Sequence, residues 1–345
     1  MDFVAGILEW ISQRESLLSG AAALIVLVSV LISGVGLAYR ALNKRNPGPL
    51  NDKSERADND QKITLRTLSA PAPFDIHFAD SDGLKIAYAV SGNGPVNVVM
   101  APGIISHLNV MSHLPLMRNT LNELGSFARV VAFDKRGQGL SDPCMHIPDL
   151  EQRAHDIGAV MDAAGMDKAI LYGISEGGPM CIKFAHDFPE RVAGLVLLGT
   201  TSTWVQRDDF PIGLAEKMLD AMAKSWGNGT LRDIFYPGIS REVMDDEAYK
   251  GFEKLVSTRD SIRQLVAYMK ETDVRGLLPE IQCPSLVIHF SGDLAVPMRM
   301  GRALADGLPN AEFLEASGVD HADLTHSPEA VARVKEFSEA LATQT

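Results

Sequence analysis

Cysteine is scarce: Cys144, Cys181 and Cys283 are the only three in 345 residues. Odd in number and far apart, they supply neither a disulfide framework nor a zinc-ligand spacing. Excess positive charge is missing as well. Lys and Arg total 32 against 44 Asp and Glu, a net charge of −12, and so acidic a chain is a poor partner for nucleic acid. There is no internal repeat and no low-complexity tract. What is there, at 46% hydrophobic residues, suffices for one large core.

A more local absence is that of charge between Ser16 and Tyr39, where "AAALIVLVSVLISGVGLAY" is apolar almost throughout. About 20 such residues span a bilayer core as a helix. A cleaved signal peptide is the rival, but it wants a basic start and a shorter apolar run. Here Asp2, Glu9 and Glu15 stand against Arg14. A retained single-pass anchor is therefore expected over residues 1–43. Arg40, Lys44, Arg45, Lys53 and Arg56 cluster on the C-terminal side of its apolar run, and the positive-inside rule puts that side, and the rest of the chain, in the cytoplasm at the cell membrane. The polar stretch "NKRNPGPLNDKSERADNDQK" cannot bury enough apolar surface to fold, so residues 44–72 read as a flexible linker.

From residue 73 to 345 the pattern is that of a folded domain. "FDIHFADSDGLKIAYAV" reads as two strands around an Asp-Gly turn. The runs "VNVVMA", "RVVAFD", "KAILYG", "GLVLLG", "SLVIHF" and "AEFLEA" then recur as apolar strands. Helical stretches such as "DLEQRAHDIGAVMDAAG" lie between them, and "PEAVARVKEFSEALA" follows the last. Alternation of this kind predicts an α/β fold, a mostly parallel sheet with helices on both faces. One interval, about 202–280, is helical and holds no clear strand; a long insertion between sheet strands reads as a cap.

The chemistry-bearing stretch is "ILYGISEGGPM". An apolar strand ends at Ser175 and a small-residue helix starts just after it, with Gly173 and Gly177 allowing a sharp turn that lifts the hydroxyl above the sheet. A serine hydroxyl needs a base, and the base an orienting acid. Asp293 in "SGDLAVP" and His321 in "SGVDHADLTHSP" follow in that order, each just past a strand's C-terminal end. Oxyanion donors are expected from the backbone amides of Glu176 and Ile104, the latter in "MAPGIISHL".

Several neighbours compete for these roles. Asp208 and Asp209 are alternative acids, and His326 an alternative base that suits a capping role before Ser327-Pro328. Asp320 adjoins His321, but adjacent side chains diverge. Asp134, Arg136 and Asp142 read as structural charges, and the Glu176 side chain as a helix N-terminal cap. For substrate contact the candidates are His107 on the oxyanion loop and Met218, Met222 and Trp226. Those three, with Leu214, recur every four residues on one helix face, which is the pattern of core packing as much as of a pocket wall.

In order and spacing, "APG", "FDKRGQGLSDP", "LYGISEGGPM", "HFSGDLAVP" and "GVDHA" resemble the α/β-hydrolase superfamily, over about 74–345. "PGIISHL", "FDKRGQGLSD" and "SEGGPM" are closest to its members fused to class III adenylate cyclase or LuxR-type regulatory domains, neither of which this chain carries. Pro102-Gly103 stands where many members have His-Gly. The resemblance implies an α/β-hydrolase fold, a cap and a Ser-Asp-His hydrolase. The expectation is thus a membrane-anchored serine hydrolase that cleaves a small carboxylic ester through an acyl-enzyme on Ser175, with no cofactor and no metal. Serine at position 175 disfavours dehalogenase and epoxide hydrolase chemistry. A carbon–carbon hydrolase, lactonase or peptidase using the same three residues is the alternative, as is a ligand-binding signalling module that turns over slowly or not at all.

Overall fold

A computed structural model of the protein describes residues 62–342. The expected anchor, and the linker up to residue 61, lie outside them. Among the described residues no helix is long and apolar enough to cross a membrane.

Eight strands form one sheet: β1 (His77–Ser81), β2 (Leu84–Ser91), β3 (Val96–Ala101), β4 (Ala128–Phe133), β5 (Ala169–Ile174), β6 (Val192–Leu198), β7 (Ser285–Phe290) and β8 (Ala311–Ala316). Their order across the sheet is β1-β2-β4-β3-β5-β6-β7-β8. Pairing is parallel from β4 through to β8, while β2 runs antiparallel to β1 and β4. The β1–β2 hairpin turns at Asp82 and Gly83, both with positive φ (53° and 79°). Such a turn matches the strands' own twist and demands residues that tolerate the left-handed region. β5 and β7 are buried along their whole length, as strands covered on both faces must be. Helices Leu150–Ala163 and Gly177–Asp187 cover one face, and Pro115–Gly125 and Pro328–Ala342 the other.

From β3 the chain moves to β4 on one side and later returns to β5 on the other. The loops leaving β3 and β5 therefore diverge, and the crevice between them is where open α/β sheets hold ligands. Those two loops carry Gly103-Ile104 and Ser175-Glu176.

Between β6 and β7 lie the helices Glu216–Ser225, Arg232–Phe235, Asp246–Val256 and Arg259–Glu271. Glu253, wholly buried, fastens this cap internally. One of its carboxylate oxygens accepts from the amides of Gly227 and Gly229 at 2.9 and 2.8 Å, and its carbonyl accepts from Trp226 Nε1 at 3.0 Å. Burial pushes the Glu253 carboxyl up, against the pull of those two amides. Buried Arg232 donates to the carbonyls of Met244 and Ile239 from the same side of the cap.

The packed body begins earlier than residue 73. Ile63 and Leu68 are buried, Ile63 N–H donates to Val243 O at 2.7 Å, and Asn109 Nδ2 donates to Ala70 O at 2.7 Å. These two buried side chains find a site in the folded body, so residues 62–72 belong to the fold and not to the linker. A chain starting at residue 61 is accordingly expected to melt as a cooperative unit. One starting at residue 73 loses both side chains, roughly 3–6 kcal/mol of burial, and should melt about 10 °C lower. Equal melting temperatures for the two would return residues 62–72 to the linker.

Candidate active site

Ser175 follows β5 directly and holds a left-handed backbone, φ 51°. A non-glycine residue there carries strain of about 1–3 kcal/mol and stays only when its surroundings enforce it. They do so here. Ser175 N–H donates to Leu198 O at 2.9 Å, and its carbonyl accepts from Gly178 N–H at 3.0 Å and Thr200 Oγ1 at 2.5 Å. The surrounding glycines are obligatory for contact. A Cβ at Gly177 would meet Ala101 O of β3 at 2.4 Å, and one at Gly173 would meet Gly178 Cα at 2.9 Å.

His321 lies in the loop after β8, its N–H donating to Phe235 O of the cap at 2.7 Å. Its Nδ1 is 2.8 Å from Asp293 Oδ2. An ionised carboxylate can only accept, so Nδ1 carries the proton and Nε2 the lone pair. That Nε2 is buried and has no partner among the described residues. Asp293 is fixed in turn: its Oδ1 accepts from the amides of Ala295 (2.8 Å) and Val296 (3.0 Å). Burial alone would raise the Asp293 carboxyl, but the facing His321, with His289 and the Val296 amide, outweighs it and leaves the group lowered. Gly199 (φ 57°) makes room for the pair; a Cβ there would lie 3.2 Å from His321 Cε1 and 3.5 Å from Asp293 Oδ2.

Ser175 and His321 open onto one cleft. Ile104 lines it, with Met111, Met117, Trp226, Phe235, Tyr249 and Phe252 as the main apolar wall. Among the described residues, no Lys, Arg, Asp or Glu side chain lies around it. The amides of Ile104 and Glu176 donate to no protein acceptor among the described residues.

Of the expected substrate contacts, only Trp226 reaches this cleft. It caps the helix Glu216–Ser225 and turns inward. The buried face of that helix is Leu219 and Ala223, while Met218 is 55% exposed and Met222 packs against the core outside the cleft. The stripe of every fourth residue drifts off the face, because true helical burial alternates steps of three and four. His107 lines a separate recess with Phe74, Leu121 and Asp134. Its Nδ1 is buried without a hydrogen-bond partner among the described residues, and burial lowers its pKa.

The rival residues are occupied elsewhere. Asp209 pairs with Arg275 at 3.0 Å on the surface, where Asp208 is also exposed. Asp320 accepts from Gly238 N–H at 2.5 Å and faces His326 Nδ1 at 3.0 Å, while Asp323 caps Thr325. Asp320, Asp323 and His326 bring ligand atoms within 4.8 Å of one another, but those contacts already tie the loop after β8 to the cap. Ser327 Oγ, not His326, caps the last helix by accepting from Ala330 N–H. Asp134 is buried and held by the amides of Leu108 and Leu140 (2.9 and 2.8 Å), with burial pushing its carboxyl up to about 7. Arg136 pairs with Asp156, and Asp142 accepts from Lys85 N–H at 2.8 Å.

The Glu176 side chain makes no cap bond. It turns down into a buried charge cluster that the sequence does not reveal, 2.5 Å from Lys135 Nζ and 2.8 Å from an Arg153 nitrogen. Arg153 also stacks on the Tyr268 ring, 4.4 Å from its centroid. His289, buried beneath Asp293, was likewise unmarked; its Nε2 sits 2.7 Å from Val296 O and 3.7 Å from Asp293 Oδ2.

The same fold is found in known proteins. A 2-hydroxy-6-oxononadienedioate/2-hydroxy-6-oxononatrienedioate hydrolase of Dechloromonas aromatica (strain RCB) is 29% identical over 240 residues, 67% of this chain and 82% of that protein. The human serine hydrolase BPHL is 27% identical, over 63% of this chain and 69% of its own. The solved esterase of Exiguobacterium antarcticum superposes with a TM-score of 0.63 at 22% identity, covering 77% of this chain and 98% of that one. The family model described as serine aminopeptidase, S33, matches residues 96–324, from the first residue of β3 to the loop after His321. With an eight-stranded, mostly parallel sheet beneath that match, the chain belongs to this family of α/β-hydrolases, and is a hydrolase of the serine type.

Proposed function

We propose that the protein hydrolyses carboxylic esters through an acyl-enzyme on Ser175, with His321 as general base and Asp293 as its orienting acid. The observation that carries this is the His321–Asp293 bond at 2.8 Å, which leaves an unpartnered Nε2 beside the cleft that Ser175 lines. His321 Nε2 takes the Ser175 proton as Oγ attacks the ester carbonyl. The carbonyl electron pair moves onto oxygen, where the Ile104 and Glu176 amides receive the oxyanion. Collapse breaks the C–O bond, the alcohol leaves with the proton from His321, and water repeats the cycle on the acyl-enzyme to release the acid.

The cleft supports an uncharged substrate with an apolar acyl or alcohol part. The relative from Dechloromonas aromatica is named for dioates, which carry two carboxylates, and each buried carboxylate needs a cationic or multiply hydrogen-bonding partner. Among the described residues no cationic side chain lines this cleft, which favours an ester over that carbon–carbon bond hydrolysis. A signalling module that binds without turnover would need none of the tautomer control that Asp293 exerts. The uncharged run up to Tyr39 and the basic residues after it support a single-pass anchor over 1–43 with the hydrolase domain in the cytoplasm.

Ser175→Ala should abolish turnover and labelling by a fluorophosphonate probe. His321→Ala and Asp293→Asn should each cost about 10⁴-fold in kcat, with strongly non-additive doubles. Ser175→Gly should be equally inactive yet about 1 kcal/mol more stable than Ser175→Ala, because glycine relieves the left-handed strain. Full esterase activity in Ser175→Ala would end the proposal. Among nitrophenyl esters, uncharged acyl groups should exceed a hemisuccinate of similar size by at least about tenfold in kcat/KM; the reverse order would favour the dioate-type substrates. A fluorescent protein fused after Thr345 should shine in the cytoplasm while a phosphatase fused there stays silent. The opposite pattern would reverse the topology.

A further inference from the structure

We infer that Lys135 is a positioning residue for the oxyanion hole, its buried ammonium fixing both backbone segments that supply the donors. This rests on the proposed roles of the Ile104 and Glu176 amides.

Lys135 is only 2% exposed, an expensive place for a charge unless it is paired. Its Nζ has two protein acceptors. One is the Glu176 carboxylate at 2.5 Å, the other the carbonyl of Gly103. Glu176 is the residue after the nucleophile. The Gly103 carbonyl and the Ile104 N–H belong to one peptide unit. In a planar trans peptide these two groups point in opposite directions. An ammonium that pulls the carbonyl down beneath the loop therefore aims the Ile104 N–H away from itself. Gly103 is pressed against the nucleophile: a Cβ added there would lie 3.2 Å from Ser175 Cβ and 3.8 Å from Oγ. One cation thus ties the β3 loop to the β5 turn at the point where the two donors must converge. A positive charge on a peptide oxygen also draws electron density from its nitrogen, so the Ile104 N–H becomes the stronger donor.

The rest of the cluster keeps that ammonium in place. Arg153 Nη2 donates to Glu176 at 2.9 Å, and its guanidinium is held over Tyr268. Lys135 N–H itself donates to Ser106 Oγ at 2.9 Å, three residues beyond Gly103. The charged and titratable groups that act on Lys135 are Glu176, Arg153 and Asp134. Burial lowers its pKa to about 8, with Arg153 adding to the drop and Glu176 and Asp134 opposing it. The ammonium is present below that pH and lost above it, so donor alignment should fail as pH rises through about 8.

The test uses the full chain with a neutral nitrophenyl ester. Wild-type kcat is expected to fall as pH rises from 7 to 9.5, with KM nearly constant. Lys135→Met should lower kcat at pH 7 by roughly 10²-fold, the scale of one lost oxyanion donor, and should remove the alkaline fall. Glu176→Gln removes a charge that holds the Lys135 pKa up, so the fall should move to lower pH. A purely structural lysine would give lower stability without a shifted limb. A wild-type kcat that stays flat through pH 9.5 overturns the inference, even if Lys135→Met fails to fold. So does a folded Lys135→Met with unchanged kcat. If Ser175→Ala is inactive while Lys135→Met is not, this inference alone fails. If Ser175→Ala keeps its turnover, the proposed nucleophile fails first.

Discussion

The left-handed backbone at Ser175 is the constraint from which the rest of the site follows. A side chain can stand upright at the end of β5 only if the chain reverses within two residues and the following helix packs almost onto the sheet. That closeness leaves no room for a Cβ at Gly173, Gly177 or Gly178. It also brings Thr200, just past β6, into hydrogen-bond contact with the Ser175 carbonyl. The turn is strained locally and braced from three strands, so its geometry does not depend on the cap or on a ligand.

Charge is distributed around the cleft, not in it. Two buried carboxylates show how the setting decides their state. Asp293 faces an imidazole and is lowered; Asp134 faces only amides besides its neighbour Lys135 and is raised to about 7. The first can hold a developing imidazolium. The second serves as an acceptor that anchors the start of the helix Leu108–Met111. Lys135, Arg153 and Glu176 sit one layer below the apolar wall, where low dielectric strengthens their mutual attraction and their grip on the backbone.

The parallel strands β3 to β7 were legible because strands buried on both faces must be largely apolar, and the β1–β2 hairpin because of its Asp-Gly turn. Ser175, Asp293 and His321 were legible as candidates because chain order and strand ends constrain them. The facing of the cap was not. Met218 and Trp226 lie eight residues apart on an apparent stripe, yet one is exposed and the other lines the cleft. The helix ends at Ser225, and Trp226 departs from its spiral. His107 sits on the expected loop but points into the neighbouring recess, since which way a loop side chain turns is set by packing. The Lys135–Glu176–Arg153 cluster was hidden for another reason. Its members look like surface charges in the sequence, and only the fold brings positions 41 and 23 residues apart into contact. The place of Ile63 and Leu68 in the fold is not legible in the sequence, because a few apolar residues after a long polar stretch reveal nothing until their partner surface is known.

That N-terminal contact has a mechanical meaning. The chain does not join the folded body at the sheet; it joins at the cap, through the Ile63–Val243 bond, an ion pair of Lys62 with Asp245 at 3.4 Å, and Leu65 lying over Gly251. Gly251 is flanked on the same helix by Tyr249 and Phe252, both of which line the cleft. Force or confinement applied to the chain before residue 62 is therefore delivered to the wall of the cleft before it reaches the sheet. The chain's first point of contact with the folded body is the cover of the site, and the sheet that carries Ser175 comes second.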